Sequence, residues 1–259
     1  MRRLITVLAS ASVFLALLGT NAVAIIDGQP DGDEHPYVGM IVFSDASGTP
    51  THRCSGTLMS STVVLTAGHC TLDTASARVW FDTTIASIAS GGTTGTAFTH
   101  PDYEDADFSS PDVGVVVLDR RVRMGTFGSL PRAGLVDDLA HRQGTHSEIH
   151  TIVGYGLQSV KPRLTRLFTR YVGTVTISGS NGDFGLGDDY VQISTNSTKH
   201  SSGGTCSGDS GGPLLLRDTS IVIGVTSAGS SPNCSGVSVE YRTDVASARR
   251  FLRAFVDVP

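Results

Sequence analysis

The chain has 259 residues, enough for one large domain or for two small domains that share a site. Its composition is 39% hydrophobic and 17% charged, with no long acidic or basic block, as in a globular protein that buries a core. A formal net charge of -5 gives no attraction to a nucleic-acid backbone, so the composition argues against a nucleic-acid partner.

Residues 1–24 have the pattern of a secretory signal peptide. Arg2 and Arg3 form a positive start, and a mostly apolar run follows from Leu4 to Leu18. The small residues of Ala22-Val23-Ala24 then occupy the positions that a signal peptidase recognises. This apolar run is too short and wrongly flanked for a membrane anchor, and no second run of membrane length follows. We therefore expect a mature protein that is secreted, extracellular and not bound to a membrane.

After residue 24 the sequence consists of short runs that are rich in Val and Ile and bounded by Gly, Ser, Asp and Pro. Such runs favour an all-β sandwich or barrel, whereas helical periodicity is too weak for a parallel α/β architecture. The Ser/Thr/Gly stretch around 87–96 predicts a loop or an edge strand. The predicted strands include 37–43, 62–66, 78–81, 113–118, 148–153, 169–177, 214–216 and 221–226.

One helix is predicted at the carboxyl end of the chain. Asp244 is its candidate N-cap, because a short acidic side chain can accept hydrogen bonds from the first free amides of a helix. The apolar residues that follow lie on one face at helical spacing: Val245, Ala248, Phe251, Leu252 and Phe255.

The four cysteines can oxidise in an exported protein, and four cysteines allow three pairings. We favour Cys54 with Cys70 and Cys206 with Cys234, since each pair closes a local loop. On the chain-entropy model each bridge stabilises the fold by about 3 kcal/mol. A metal site is the alternative, but the sequence has no Cys-x-x-Cys spacing, so we expect no metal.

Nucleophilic catalysis by a serine requires a neighbouring base, a group that orients this base, and donors for the oxyanion. The segment Cys206-Ser-Gly-Asp-Ser-Gly-Gly-Pro213 contains a candidate nucleophile, Ser210, between glycines that let a substrate approach the backbone. The amides of Gly208 and Ser210 can converge on one point. A Gly-rich structural turn is the alternative interpretation, and the full eight-residue string disfavours it.

Two further segments supply a base and a carboxylate. His69 lies in Leu65-Thr-Ala-Gly-His-Cys70, where a neighbouring cysteine holds it on a rigid loop. Asp112 opens the hydrophobic run that ends at Leu118, which places a carboxylate at the rim of the core. Taken alone, His69 is more typical of a structural histidine, and Asp112 of a turn residue.

Together these three strings resemble the trypsin/chymotrypsin family of serine proteases over roughly residues 25–256. The resemblance implies that His69 is the general base and acid, that Asp112 orients it, and that Ser210 attacks the substrate carbonyl. It implies that Gly208 and Ser210 form the oxyanion hole. It also implies two six-stranded antiparallel β-barrels with the site between them, at 25–140 and at 141–259 with the C-terminal helix.

The order of the residues excludes one rival fold. Gly208-Asp-Ser-Gly-Gly212 also satisfies the nucleophile motif of α/β-hydrolases, in which the catalytic histidine follows the serine. All eight histidines of this chain precede Ser210, so an α/β-hydrolase triad is impossible.

The mature N-terminus departs from the family. The resemblance implies that a freed N-terminal ammonium inserts beside Asp209, but here Ile25 directly follows the predicted signal peptide. We hypothesise that signal peptidase itself frees Ile25, whose ammonium pairs with Asp209 and orders the oxyanion hole. Cleavage after Ala22, followed by trimming of Val23 and Ala24, is the alternative.

The resemblance also locates the primary specificity pocket. Gly204 stands at its base, where trypsin-like members carry Asp, so a buried basic side chain would lack a charge partner. We therefore predict cleavage after aromatic or large aliphatic residues, unless Asp188 or Asp189 reaches the pocket from another wall. The predicted pocket residues are Gly204, Thr205, Ser227, Ala228, Gly229 and Gly236.

These observations predict a secreted serine endopeptidase that needs no cofactor and acts on proteins or peptides. We expect a monomer, with protein protease inhibitors as further partners. The alternatives are a catalytically inactive binding or adhesion protein on the same fold, and a serine esterase. Labelling of Ser210 by an active-site phosphonate separates the first alternative, and cleavage of casein separates the second.

Overall fold

The computed structural model describes residues 25–105, 107, 109–140, 148–159, 167–180, 188–195 and 203–259. The predicted signal peptide, residues 1–24, lies outside the described residues. In the part of the chain that is described, no helix has both the length and the apolar character needed to cross a membrane.

Six of the first seven strands close into a barrel in the order β2-β3-β4-β7-β6-β5, and all of their pairings are antiparallel. The short two-residue strand β1 lies outside this barrel. The seven strands are β1 (Gln29–Pro30), β2 (Val38–Ser44), β3 (Pro50–Leu58), β4 (Val63–Thr66), β5 (Ser76–Trp80), β6 (Thr93–Thr99) and β7 (Gly114–Leu118).

The remaining six strands close a second antiparallel barrel in the order β8-β9-β10-β13-β12-β11, with β8 also paired to β9 and β1 added at the side of β9. The predicted all-β fold of two six-stranded antiparallel barrels is thus confirmed. The strands are β8 (Ile149–Gly154), β9 (Tyr171–Ser180), β10 (Tyr190–Ser194), β11 (Pro213–Leu215), β12 (Val222–Gly229) and β13 (Val237–Arg242).

The stretch around 87–96, predicted as a loop or an edge strand, is a loop over residues 87–92 only. From residue 93 onwards it belongs to β6, which pairs with β5 on one side and with β7 on the other. Its Thr94 and Thr96 face solvent, which explains the polar composition. Gly95 is required by packing, because a Cβ there would lie 2.6 Å from the carbonyl oxygen of Val117.

Three short helices accompany the barrels: α1 (Gly68–Thr71), α2 (Leu135–Ala140) and α3 (Ala246–Leu252). Helix α3 is the predicted C-terminal helix, but the prediction that Asp244 caps it was wrong. The N-cap of α3 is Val245, which makes no side-chain hydrogen bond. The Asp244 carboxylate instead accepts a 2.7 Å hydrogen bond from the amide of Val136 in α2, and it also binds Arg242. A carboxylate thus binds the first turn of a helix distant in sequence.

The first and the last segments that the structure describes pack against opposite barrels. Ile25 is fully buried in the apolar core of the second barrel, beside Ile152 and Leu214. Helix α3 covers the first barrel, where Phe255 packs on Phe98 with ring centroids 5.4 Å apart. These contacts fix the barrels side by side, and the predicted catalytic residues lie between them.

Candidate active site

His69 is held by the turn that follows β4. Its helix, α1, is a single turn that starts directly after Ala67, and the next residue, Cys70, is bridged to Cys54 in β3. The disulfide therefore ties the histidine loop to the wall of the first barrel. The His69 side chain remains partly accessible, with 28% of its surface exposed.

Asp112 precedes β7 and is buried below His69. One carboxylate oxygen accepts the His69 backbone amide at 2.7 Å, and the other accepts His69 Nδ1 at 2.9 Å. Ser227 Oγ donates a third hydrogen bond to Asp112 at 2.5 Å. Burial alone would raise the pKa of Asp112, but the bonds and charge of His69 and the Ser227 bond outweigh it and lower that pKa. The carboxylate is therefore ionised at neutral pH and fixes the orientation of the imidazole.

Ser210 lies on a loop that is bonded to both barrels. Its carbonyl oxygen accepts the amide of Ser55 in β3 at 2.8 Å, and the amide of Gly211 donates to Thr226 in β12 at 2.7 Å. Gly211 has φ +75°, and a Cβ there would lie 2.0 Å from the hydroxyl oxygen of Thr66. Only glycine fits this position, so the loop has one backbone path.

Ser210 and His69, the predicted nucleophile and base, line two cavities that share Ser227 and Ala228. Among the described residues, no hydrogen bond joins Ser210 Oγ to His69 Nε2, which lies 3.6 Å from Cys70 Sγ. In proteins without substrate, catalytic hydrogen bonds are often long or misaligned and shorten in the complex. The arrangement therefore requires a small adjustment of one of these side chains before proton transfer.

The amides of Gly208 and Ser210 are available to an anion. Within the described residues neither amide donates a hydrogen bond to the protein. Gly208 has φ +99°, and its carbonyl oxygen is turned away to accept Ser55 Oγ at 2.9 Å. Two free donors beside a nucleophile are the components of an oxyanion hole.

Asp209 is 1% exposed, and its carboxylate accepts the amides of Gly156 at 2.7 Å and Cys206 at 2.9 Å. Burial raises the pKa of Asp209 to about 7, although these bonds and the positive charge of Arg53 oppose the shift. Gly156 leaves room for the carboxylate, since a Cβ there would lie 2.3 Å from it. Among the described residues no hydrogen bond joins Asp209 to Ile25.

The backbone beside Ile25 is already docked. Ile26 and Gly204 exchange two amide-to-carbonyl hydrogen bonds of 2.9 Å, which attach the N-terminal segment to the residue before Thr205. Ile25 itself has φ +52°, a left-handed conformation that is strained for a β-branched residue.

A cavity of about 350 Å³ opens beside Ser210. Four of the predicted pocket residues line it: Thr205, Ser227, Ala228 and Gly229. Gly204 and Gly236 lie outside this lining. At Gly204 the side-chain direction is occupied by Thr195, because a Cβ added to Gly204 would lie 2.5 Å from the Cβ of Thr195. The lining residues that sequence reasoning missed are Cys206, Ser207, Thr226, Ser230, Ser231, Pro232 and Cys234.

The two acidic residues considered for another wall do not reach this cavity. Asp188 and Asp189 line a separate cavity together with Arg242, which donates hydrogen bonds to their backbone carbonyl oxygens. The disulfide between Cys206 and Cys234 lies in the wall of the primary cavity and joins the Ser210 loop to the segment before β13.

A second cavity of about 210 Å³ lies on the His69 side and shares Ser227 and Ala228 with the first. It is lined by Tyr103, Asp105 and Asp107, which sequence reasoning did not single out. The sequence pattern that could have indicated these residues is the acidic stretch before Asp112, but such a stretch is equally typical of a solvated loop.

The sulfur atoms of Cys54 and Cys70 and a ring nitrogen of His69 lie within 4.8 Å of one another, a spacing that a metal site would also have. Both sulfurs are consumed in the disulfide, so neither is a thiolate that could hold a metal.

Comparisons with known proteins identify related sequences and a related fold. A family model described as Trypsin matches residues 25–252. A trypsin of Saccharopolyspora erythraea is 27% identical over 205 residues, which cover 76% of this chain and 82% of that protein. Serine protease 1 of Drosophila melanogaster is 26% identical over 208 residues, 77% of this chain and 72% of that protein. A solved structure of HL collagenase has a TM-score of 0.70 at 18% identity and covers 89% of this chain and 97% of its own.

Proposed function

Because this chain belongs to the trypsin family and is a trypsin-like serine endopeptidase, we propose that it cleaves peptide bonds through Ser210, His69 and Asp112. His69 Nε2 removes the proton from Ser210 Oγ as this oxygen attacks the substrate carbonyl carbon. The resulting oxyanion accepts hydrogen bonds from the amides of Gly208 and Ser210. His69 then gives its proton to the leaving amine, and water hydrolyses the acyl-enzyme by the same route.

One observation carries this proposal: His69 Nδ1 lies 2.9 Å from the buried carboxylate of Asp112. This bond fixes the tautomer in which Nε2 is free to accept a proton, and it stabilises the imidazolium that forms. The same carboxylate accepts a hydrogen bond from Ser227, and Ser227 also lines the cavity beside Ser210. The base is thereby coupled to the wall of the substrate site.

We propose that the protein is exported, that residues 1–24 are removed, and that Ile25 becomes the N-terminus. Two observations support this. Ile25 is fully buried in the core of the second barrel, which also carries Ser210. The buried carboxylate of Asp209 has no charged hydrogen-bond partner among the described residues. A freed ammonium would supply this charge. The proposed enzyme acts as a monomer on proteins or peptides and is open to protein inhibitors.

For the primary pocket we propose cleavage after aromatic or large aliphatic residues. Among the described residues that line the cavity beside Ser210, none has an acidic side chain. A lysine or arginine side chain buried there would lose its hydration without gaining a direct ion pair.

The test is the Ser210→Ala variant, compared with the native chain on casein and with an active-site phosphonate. We expect hydrolysis to fall by about 10⁴-fold or more and labelling to disappear, because the nucleophile is removed and the rest of the site is intact. The free energy of unfolding should change by less than about 0.5 kcal/mol. Native protein that is neither labelled nor active would indicate a binding protein, and labelling without proteolysis would indicate an esterase.

A further inference from the structure

A carboxylate that the reaction does not use lies behind the primary pocket. Glu240 in β13 is fully buried, opposite Val191 of β10 and next to Thr226 of β12. Among the described residues its Oε2 atom has no hydrogen-bond partner. A buried carboxylate with an unsatisfied oxygen is unfavourable for the fold, so its presence calls for an explanation.

Glu240 is connected to the pocket by a chain of hydroxyl groups. Its Oε1 atom accepts Ser238 Oγ at 3.0 Å, and Ser238 Oγ accepts the hydroxyl of Thr205 at 2.5 Å. Thr205 lines the cavity beside Ser210, whereas Ser238 and Glu240 lie behind it. The carboxylate is therefore two hydrogen bonds away from the substrate site.

The direction of these hydrogen bonds is fixed by chemistry. An ionised Glu240 carboxylate can only accept hydrogen bonds. The same holds for the carbonyl oxygen of Ala228, which lies 3.1 Å from Ser238 Oγ. The single proton of Ser238 must therefore be donated to one of these two oxygens, and the bond between the hydroxyls must be donated by Thr205. The Thr205 oxygen consequently offers the cavity lone pairs and no proton.

We infer that Glu240 is a specificity-determining residue, which acts through Ser238 and Thr205 to make the pocket prefer a substrate side chain that ends in a hydrogen-bond donor. Within the aromatic class of the proposed function, on which this inference rests, the preferred residue is tyrosine over phenylalanine. A site built to accept a substrate hydroxyl discriminates against the analogue that lacks it, because its own polar groups are left without partners. The charge of Glu240 strengthens the acceptor along the chain.

The preference depends on the ionisation of Glu240. Burial raises the pKa of Glu240 to about 7, and the negative charge of Asp209 adds to this shift, while the hydroxyls of Thr226 and Ser238 oppose it. The facing residue of β10, Val191, does not titrate, and Arg242 on the same strand is paired with Asp137 and Asp244. Above a pH of about 7 the ionised carboxylate polarises the hydroxyl groups of Ser238 and Thr205. Below that pH the carboxyl group is protonated and polarises them weakly.

The test compares two peptide p-nitroanilides that differ solely in having Tyr or Phe before the scissile bond. For the native enzyme we expect kcat/KM to favour Tyr by about 10-fold at a pH of about 8.5, and by less at a pH of about 6. In Glu240→Gln the ratio should fall to within about 2-fold and become independent of pH. Because both peptides are measured on the same sample, a loss of folded enzyme cancels in the ratio.

Ser238→Ala is the second variant, since it breaks the chain and leaves the carboxylate in place. It should lower the Tyr/Phe ratio as Glu240→Gln does. Thr57→Val, which removes a buried hydroxyl in the first barrel, is the matched control and should leave the ratio unchanged.

The outcomes separate this inference from the proposed function. Cleavage of both peptides with a ratio near one, or with a ratio that neither variant changes, would overturn the role of Glu240 and leave the endopeptidase intact. Failure to cleave either peptide would overturn the aromatic preference, and the role of Glu240 with it.

Discussion

The two barrels differ in what they bury. The first has an apolar core, with Ile41, Val64 and Val116 fully enclosed. Its buried carboxylates each have a basic partner: Asp31 is bonded to His35 and Arg170, and Asp112 to His69. The second half of the chain buries Asp209 and Glu240, and burial raises the pKa of each to about 7. The half that contains His69 therefore pairs its buried carboxylates, Asp31 and Asp112, with basic side chains. Among the described residues, neither Asp209 nor Glu240 has a hydrogen bond to a basic side chain, which is why the activation proposal concerns this half.

Blocking the N-terminus should sharpen this contrast most. On the activation proposal, a chain that begins at Ile25 pairs an ammonium with the carboxylate of Asp209, whereas a chain that retains Ala24 keeps an uncharged amide and the strained φ of Ile25. We expect the blocked chain to have a kcat/KM lower by about 100-fold or more, as for a lost oxyanion-hole interaction. Peptide hydrolysis by the two purified chains measures the effect.

Asp209→Asn in the chain that begins at Ile25 is the control and should show a similar loss. Equal activity of the blocked and free chains would contradict the activation proposal. N-terminal sequencing of exported protein provides an independent check, since a major start at any residue other than Ile25 rules out direct release by signal peptidase.

The next effect concerns stability and its dependence on pH. The folded state keeps the Glu240 proton up to a pH of about 7, whereas the unfolded chain releases it near the ordinary pKa of 4.5. Stability is therefore lost as the pH rises between these values, by about 3 kcal/mol in total. Glu240→Gln should recover up to about 3 kcal/mol above pH 7 and nothing below about pH 4.5.

Urea unfolding at both pH values measures this difference, with Ser210→Ala in both chains to prevent self-digestion. A gain from Glu240→Gln that is equal at the two pH values would mean that the carboxylate is not protonated by folding. It would also remove the electrostatic contrast between the barrels.

The smallest effect should come from the first barrel. Thr57 in β3 is fully buried, and its hydroxyl has no hydrogen-bond partner among the described residues. Replacing it with Val keeps the shape and removes the unsatisfied group, so stability should rise by up to about 1 kcal/mol. Because no charge is involved, the gain should be the same in urea at low and neutral pH. A gain that varied with pH would show that this barrel also contains an uncompensated ionisable group.

Motifs in the sequence singled out His69 and Asp112, because they lie in strings that allow few other structures, and the structure places their side chains 2.9 Å apart. Glu240 was missed for a physical reason. In Val237–Arg242 the polar residues alternate with apolar ones, which normally places the polar face in solvent. Here Val239 and Tyr241 pack in the core shared with the first barrel, so Ser238 and Glu240 face the interior of the second.

The base of the pocket was also beyond prediction from local sequence. Gly204 indicated an open base without charge, but Thr195, from the end of the distant strand β10, fills the space in front of it. Such a contact depends on how two strands register in the closed barrel. Neither the identity nor the spacing of the residues around Gly204 carries that information.

The packing of the first and the last described segments on opposite barrels has a consequence for how the molecule can be divided. Cutting between the barrels would leave the first without α3, which contributes Leu252 to its core, and without Phe255, which follows α3 and packs on Phe98. It would leave the second without Ile25 and the added strand β1. Neither half is a complete folding unit, so we expect the barrels to unfold in one cooperative transition and the gene to resist being split or permuted at this junction.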